Sequence, residues 1–159
     1  MNTDLMDTLR SGGYSLVARQ GGRIYTFRQR GVADLFDLYT GRPALLAGAD
    51  VADKVVGRGA AALMVLAGVR SLHAGVASAA AMALLHRAGV AAECEVEVPH
   101  IINRQGTGPC PLEAATEGLE RPADMWPVIR DFVARLRLGG GARPLAPDGP
   151  ITSDTTTPN

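Results

Sequence analysis

The chain has 159 residues, which is about the length of one domain and enough to bury a core. Its 16 basic and 16 acidic residues cancel, so no net charge attracts nucleic acid or an anionic membrane surface. Aromatic residues make up 4% of the chain, which removes the stacking platforms that single-strand binders use. The composition therefore argues against nucleic acid and membranes as partners.

The two cysteines, Cys94 and Cys110, are too few for a disulfide scaffold and fit a reducing compartment. Residues 1–10 contain Asp4 and Asp7 and lack a long apolar run. They therefore predict neither a secretory signal nor a membrane span. We expect a cytoplasmic protein, and a homo-oligomer is compatible with these features.

The first part of the chain predicts a short helix, a hairpin and a second helix. Residues 2–10 form the short helix, which the glycines at 12–13 end. Tyr14–Arg19 and Ile24–Arg28 form two strands that are joined by a tight turn. Ala33–Thr40 has its apolar residues at helical spacing and is followed by a glycine and a proline, so we expect a helix there.

A central helix is expected next, from Asp50 to Ala67. Asp50 resembles a helix cap with Asp53 three positions further on, and the segment consists mainly of Val, Ala, Leu, Met and Gly. Lys54 and Arg58 are one turn apart on such a helix, so they form a single polar stripe. This spacing predicts a buried helix with one charged side.

The remaining segments alternate between strand and helix. We expect a strand over Val69–Val76, a helix capped by Ser78, and a strand over Val90–Val98. The last helix, Ala123–Leu138, has an inward apolar stripe that consists of Met125, Ile129, Phe132, Val133 and Leu136.

Strands that alternate with helices predict an α/β protein with a three-layer α/β/α mixed sheet. We assign residues 14–138 to this single domain, 1–13 to an N-terminal helical extension and 139–159 to a disordered tail that is poor in apolar residues. Such sheets bind ligands at the carboxyl ends of their strands. Ser78 and the loop that begins at His100 both follow such ends, so their polar residues are expected to converge with Lys54.

The segment Ile102–Glu113, INRQGTGPCPLE, has the features of a binding loop. Its glycines on either side of Thr107 supply backbone freedom that a packed strand does not need. Cys110 lies at the cap of a short helix, Pro111 at its first position and Glu113 at its third. A helix start favours the thiolate over the thiol, so Cys110 is a candidate nucleophile.

Each candidate has an ordinary structural interpretation beside the functional one. Cys110 is either a nucleophile, with His100 as a helper, or a buried turn cysteine, whereas Cys94 alternates with the apolar residues of a strand and is expected in the core. Ser78 is expected to be a simple helix cap rather than a catalytic hydroxyl.

The charged residues of the central segment and the loop also have two interpretations. Asp53, Lys54 and Arg58 either bind an anionic group and tune the thiol, or form a solvated face with salt bridges. Asn103 and Arg104 hold either the loop or the ligand. The glycines of the loop lack the Lys-Ser/Thr of a phosphate-binding loop, so they are weak evidence for a nucleotide.

Three separated motifs resemble those of one family. They are Asp53–Ala61 (DKVVGRGAA), Ser78 before a helix, and Ile102–Glu113. Over Tyr14–Glu117 the chain resembles an uncharacterised prokaryotic family of domains of unknown function with a cytidine-deaminase-like fold. The resemblance implies that fold and, by analogy alone, a nucleoside- or nucleotide-like ligand.

Zinc deaminases hold their metal with a His/Cys-Ala-Glu triplet and a Pro-Cys-x-x-Cys motif at two helix starts. Asp53, Lys54 and Ser78 fill the corresponding expected positions here and cannot form a Cys/His zinc site. The spacing of the two cysteines and three histidines matches no other metal signature. We therefore expect neither a metal nor a cofactor.

The leading hypothesis is a zinc-independent enzyme that acts on a small molecule, with Cys110 as nucleophile and Lys54 and Arg104 as anion-binding or acid/base groups. The alternatives are a non-catalytic metabolite-sensing module with a structural or redox-responsive Cys110, and a structural partner subunit. The candidate ligand-binding residues are Asp53, Arg58, Ser78, Asn103, Arg104, Gly106, Thr107, Gly108 and Glu113.

Overall fold

A mixed sheet of five strands forms the middle layer of the molecule. The computed structural model describes residues 3–29, 32–102, 106, 108 and 110–139. The strands are β1 (Leu16–Gln20), β2 (Arg23–Phe27), β3 (Asp50–Val56), β4 (Ser71–Ser78) and β5 (Ala91–Val98). Their order is β2-β1-β3-β4-β5. β1 is antiparallel to β2 and β3, whereas β3, β4 and β5 run parallel.

The helices lie on both faces of this sheet. They are α1 (Thr3–Gly12), α2 (Ala33–Gly41), α3 (Arg58–Ala67), α4 (Ala79–Arg87), α5 (Pro111–Ala115) and α6 (Pro122–Gly139), with a 3₁₀ turn at Pro43–Leu45. No helix in the described part of the chain is long and apolar enough to cross a membrane.

Two hydrophobic clusters give the fold its three layers. The larger cluster joins the sheet to α2, α3, α4 and α6, and includes Leu35, Val51, Leu63, Leu85 and Ile129. On the other face, α1 buries Leu5, Met6 and Leu9 against Val17 and Ala52. This arrangement confirms the predicted α/β class with a mixed, single-domain sheet.

The elements with strong local signals fold as predicted. Gly21 and Gly22 both have positive φ angles, +59° and +85°, which is what a two-residue hairpin turn requires between β1 and β2. Ser78 caps α4 by accepting a hydrogen bond from the amide of Ala81 at 3.2 Å. The preceding strand begins two residues later than expected, at Ser71.

The predicted central helix over Asp50–Ala67 is wrong in its first half. Asp50–Val56 is strand β3, and α3 begins only at Arg58, after Gly57. Three valines favour the extended chain, and β1 and β4 pair with this segment on both sides. Asp50 is therefore not a helix cap. Its carboxylate accepts hydrogen bonds from Arg70 and from Ser71, each at 2.6 Å.

Helix α6 packs as predicted over its first three turns but not beyond them. Met125 and Ile129 are fully buried, and Trp126 stacks on Phe36 with ring centroids 5.6 Å apart. Leu136, expected to point inward, is 55% exposed because the last turn extends past the core.

The edge strand β5 is also more open than predicted. Val96, one of the apolar residues with which Cys94 alternates along this strand, is 52% exposed. The Cys94 side chain packs against the larger cluster, as predicted, and burial raises the pKa of its thiol.

Candidate functional site

Three chain segments lie at the carboxyl ends of the parallel strands. Gly57 follows β3, Ser78 ends β4, and Ile101 lies shortly after β5. The first and third of these segments are in close contact. A methyl group placed on Gly57 would lie 3.3 Å from Ile101 Cγ1 and 2.8 Å from Glu113 Oε1. We call Gly57, Arg58, Ile101, Cys110 and Glu113 the Glu113 site.

The start of α3 is capped by a side chain from a distant part of the sequence. Gly57, at the cap position, has no side chain to offer. Glu113 Oε1 instead accepts a hydrogen bond from the backbone N–H of Arg58 at 2.6 Å, across 55 residues of sequence. The absence of a side chain at Gly57 gives the carboxylate the room that this contact needs.

The Arg58 side chain completes the link between α3 and α5. Its Nη2 donates to the backbone oxygen of Glu113 at 2.7 Å, and its Nε donates to Thr116 Oγ1 at 3.2 Å. Gly59 lies so close to Leu112 that an added methyl group would be 2.4 Å from Leu112 Cδ2. The structure therefore brings together two of the predicted site residues, Arg58 and Glu113, and fixes α5 on α3.

The second oxygen of Glu113 has no hydrogen-bond partner among the residues that the structure describes. Oε2 is buried, and the residue as a whole is 4% exposed. A buried acceptor without a donor costs about 1–3 kcal/mol, and more when it is charged. Such an oxygen is satisfied by a donor from an ordered water or from a ligand.

Cys110 occupies the predicted position, but its surroundings give little support for activation. It caps α5, with Pro111 at the first helical position, yet its side chain accepts no hydrogen bond from the α5 amides. Its backbone N–H donates to Ile101 O at 2.8 Å. The thiol is half-buried against the larger cluster, and α5 has only five residues, so its dipole is small.

Asp53 and Lys54 lie on β3, not at a helix start. Lys54 is exposed, and no ion pair or hydrogen bond between described residues joins it to Cys110 or Glu113. Asp53 is 7% exposed, and burial raises its pKa to about 8, against hydrogen bonds from the Val55 and Lys54 amides. Their proposed site roles remain predictions.

Asp34 is a buried carboxylate that the sequence analysis missed. Burial raises its pKa to about 6, although Gln29 donates hydrogen bonds from its side chain and backbone and Ser15 donates from its hydroxyl. Its charge also raises the pKa of Asp53. Asp34 lies in the first turn of α2, where acidic residues are common, and only the tertiary packing of α2 on the sheet reveals its burial.

The other candidate site residues either have a structural role or lie outside the part of the chain that the structure describes. Ser78 is fully buried and acts as the cap of α4, which supports the simpler interpretation. Gly106 has a positive φ of +72°, and Gly108 is half-buried. Asn103, Arg104 and Thr107 lie outside the described residues. Within that description, no three His, Cys, Asp or Glu side chains are grouped to hold a metal ion.

A concave surface lies between α5 and α6. This groove has a volume of about 350 Å³ and is lined by Pro111, Ala115, Phe132, Arg135 and Leu136. Its walls are apolar apart from one arginine. It therefore lacks the convergent polar groups that fix a ligand, in contrast to the Glu113 site.

The sheet order, the two helical layers and the site at the carboxyl ends of the parallel strands define a single-domain α/β protein. Comparison with family profiles matches residues 4–133 to TM1506, a domain of unknown function (DUF1893). The chain belongs to this DUF1893 family. The match begins before and ends after the expected range Tyr14–Glu117, so it includes α1 and most of α6.

A solved structure shows the same fold. The chain is similar to the crystal structure of a DUF1893 family protein (TM1506) from Thermotoga maritima, with a TM-score of 0.74 and 23% identity. The similarity covers 84% of this chain and 88% of the other. No curated protein matches the sequence. At this level of identity the similarity establishes the fold alone.

Proposed function

We propose that this chain is a small-molecule-binding protein whose ligand occupies the Glu113 site. The observation that carries the proposal is the buried Glu113 carboxylate, whose Oε1 accepts from the Arg58 amide and whose Oε2 has no partner in the described part of the chain. The site lies at the carboxyl ends of parallel strands, where α/β sheets bind ligands. Nucleosides and nucleotides are the first class to screen, because the motifs resemble a deaminase-like family.

Binding without catalysis is the function that the geometry supports best. A nucleophilic Cys110 would need a base or a set of amides at its sulfur. Its side chain accepts no hydrogen bond from α5, and Lys54 is an exposed residue of β3. We propose that the protein works in the cytoplasm, where its two free cysteines stay reduced.

Native mass spectrometry of the purified protein tests this proposal, followed by calorimetric titration with a panel of nucleosides and nucleotides. We expect one bound small molecule per chain, and ligand-dependent protection of Cys110 from iodoacetamide. The same spectra report the oligomeric state. A protein that carries no small molecule and binds no member of the panel would contradict the proposal.

Catalysis by Cys110 is the second candidate, because the thiol begins the same short helix that carries Glu113. A Cys110→Ser variant separates the two functions. It keeps its affinity for the ligand if the protein only binds, and the wild-type protein then leaves the ligand chemically unchanged. Conversion of the ligand by wild type but not by Cys110→Ser would establish the enzyme.

A further inference from the structure

We infer that Glu113 makes its site selective for a ligand group that donates a hydrogen bond, such as an amino or amidino N–H, and that the site rejects phosphates and carboxylates. This inference rests on the proposed function. It assigns to the Glu113 site the chemical class of group that is recognised there.

The start of a ten-residue helix such as α3 ordinarily attracts anions, because its first amides point outward unpaired. Here that position is already filled by a carboxylate. Glu113 Oε1 accepts from the Arg58 N–H at 2.6 Å. A phosphate would have to displace this oxygen and would meet a second negative charge.

The positive side chain at this helix start is also occupied. The Arg58 guanidinium donates to Glu113 O at 2.7 Å and to Thr116 Oγ1 at 3.2 Å. Thr116 is fully buried, so this contact is part of the packed interior. Arg58 therefore holds α5 in place and is not directed at an anionic ligand.

The atom of this site that needs a hydrogen-bond partner is an acceptor, Glu113 Oε2. Oε2 is buried and has no hydrogen-bond partner within residues 3–29, 32–102, 106, 108 and 110–139, and the contact of Oε1 with Arg58 fixes the carboxylate. An N–H donor satisfies this oxygen, whereas a carbonyl or phosphate oxygen in the same place repels it. Recognition through a buried acceptor discriminates strongly, because the wrong ligand leaves the oxygen unpaired.

Substitution of Glu113 by Gln reverses the polarity of this one position with little change of shape. The Arg58 N–H needs an acceptor, so the amide oxygen of Gln takes the place of Oε1. The amide NH₂ then takes the place of Oε2, so a donor replaces the acceptor at this position. Glu93→Gln, on the exposed surface of β5, is the matched control because it makes the same chemical change away from the site.

Calorimetric titration with matched probes tests the inference. Adenosine and inosine, like cytidine and uridine, differ by an amino group in place of an oxo group, and benzamidine and benzoate provide a pair without a ribose. We expect at least about tenfold tighter binding of the amino or amidino member to wild type and to Glu93→Gln. In Glu113→Gln the preference disappears or reverses, while circular dichroism shows the same fold.

Equal binding of both members of each pair, or a preference that persists in Glu113→Gln, overturns this inference and leaves the proposed function intact. Failure of all six probes to bind the wild-type protein also overturns this inference, whereas the proposed function falls only if the purified protein carries no small molecule and binds no other member of the nucleoside and nucleotide panel.

Discussion

At the scale of single residues, the two buried carboxylates make the stability of the protein depend on pH. Burial raises the pKa of Asp53 to about 8 and that of Asp34 to about 6. Both values lie above those of an unfolded chain, so between about pH 4 and 8 the folded state binds more protons. Stability from these groups is therefore greatest in acid and is lost as the pH rises.

We predict that the free energy of unfolding falls by at least about 1 kcal/mol between pH 5 and pH 8 because of these two groups. Asp53→Asn removes most of this dependence, since its amide does not ionise. Urea denaturation at both pH values measures it, with the exposed Asp7→Asn as control. The same slope in Asp53→Asn as in wild type would show that Asp53 is not held in its neutral form.

Gly57 provides a second test at the residue scale. A methyl group here would lie 2.8 Å from Glu113 Oε1, which the Arg58 N–H holds in place, and 3.3 Å from Ile101 Cγ1. We therefore predict that Gly57→Ala costs about 1–3 kcal/mol of stability. Glu113→Ala removes the atom that the methyl group meets, so the double variant should be more stable than the sum of the two single effects predicts. Additive effects would mean that the two residues do not constrain each other.

At the scale of elements, strands β3 and β4 approach each other too closely for a side chain at one position. A methyl group on Gly75 would lie 2.8 Å from the backbone oxygen of Lys54, and this backbone atom cannot move without disturbing the sheet. Gly75 is therefore required by the close approach of two central strands.

We predict that Gly75→Ala destabilises the protein by about 1–3 kcal/mol in urea denaturation. Gly41→Ala is the matched control, because a methyl group there meets nothing within 4 Å and its φ is not positive. The control should leave stability unchanged or raise it slightly. If both variants unfold at the same urea concentration as wild type, the close approach of β3 and β4 does not exclude a side chain at position 75.

The elements that the sequence predicted well are those that local chemistry specifies. The glycines at 21–22 demand a hairpin turn, and the Ser78 hydroxyl marks the start of α4. β3 was predicted as part of a helix because its valines and alanine can be buried in a helix or in a strand alike. The strands that pair with it come from distant segments of the sequence.

The sequence predicted which residues belong to the site but not how these residues contact one another. Arg58 and Glu113 were both candidates, yet the contact between them spans 55 residues and depends on how α5 docks on α3. Lys54 was grouped with Arg58 through a helical spacing that does not exist, because Gly57 separates a strand from a helix. Asp34 gave no signal, since an acidic residue in a first helical turn is ordinary.

At the scale of the whole molecule, α1 is one of the three layers. Leu5, Met6 and Leu9 are each at most 1% exposed and cover Val17 and Ala52 of the sheet. Residues 1–13 were predicted to be an extension, because the sequence of a short amphipathic helix does not reveal which surface its apolar side packs against.

We predict that removal of residues 1–13 abolishes cooperative thermal unfolding, and that Leu9→Ala costs about 2–5 kcal/mol. Removal of residues 140–159, a segment poor in apolar side chains, is the control and should leave the melting temperature nearly unchanged. A shortened chain without residues 1–13 that melts within a few degrees of the full chain would show that the sheet does not need this layer.

The central claim is that a small molecule binds at the Glu113 site through the unpaired carboxylate oxygen. Titration of ¹⁵N-labelled protein with adenosine, followed by backbone amide chemical shifts, tests it most directly. We predict that the shifts are concentrated at Gly57, Arg58, Ile101, Cys110 and Glu113, that they persist in Glu93→Gln and that Glu113→Gln needs at least about tenfold more adenosine to produce them. Shifts centred instead on Phe132 and Leu136 in the groove between α5 and α6, or shifts that are unchanged in Glu113→Gln, would contradict the claim.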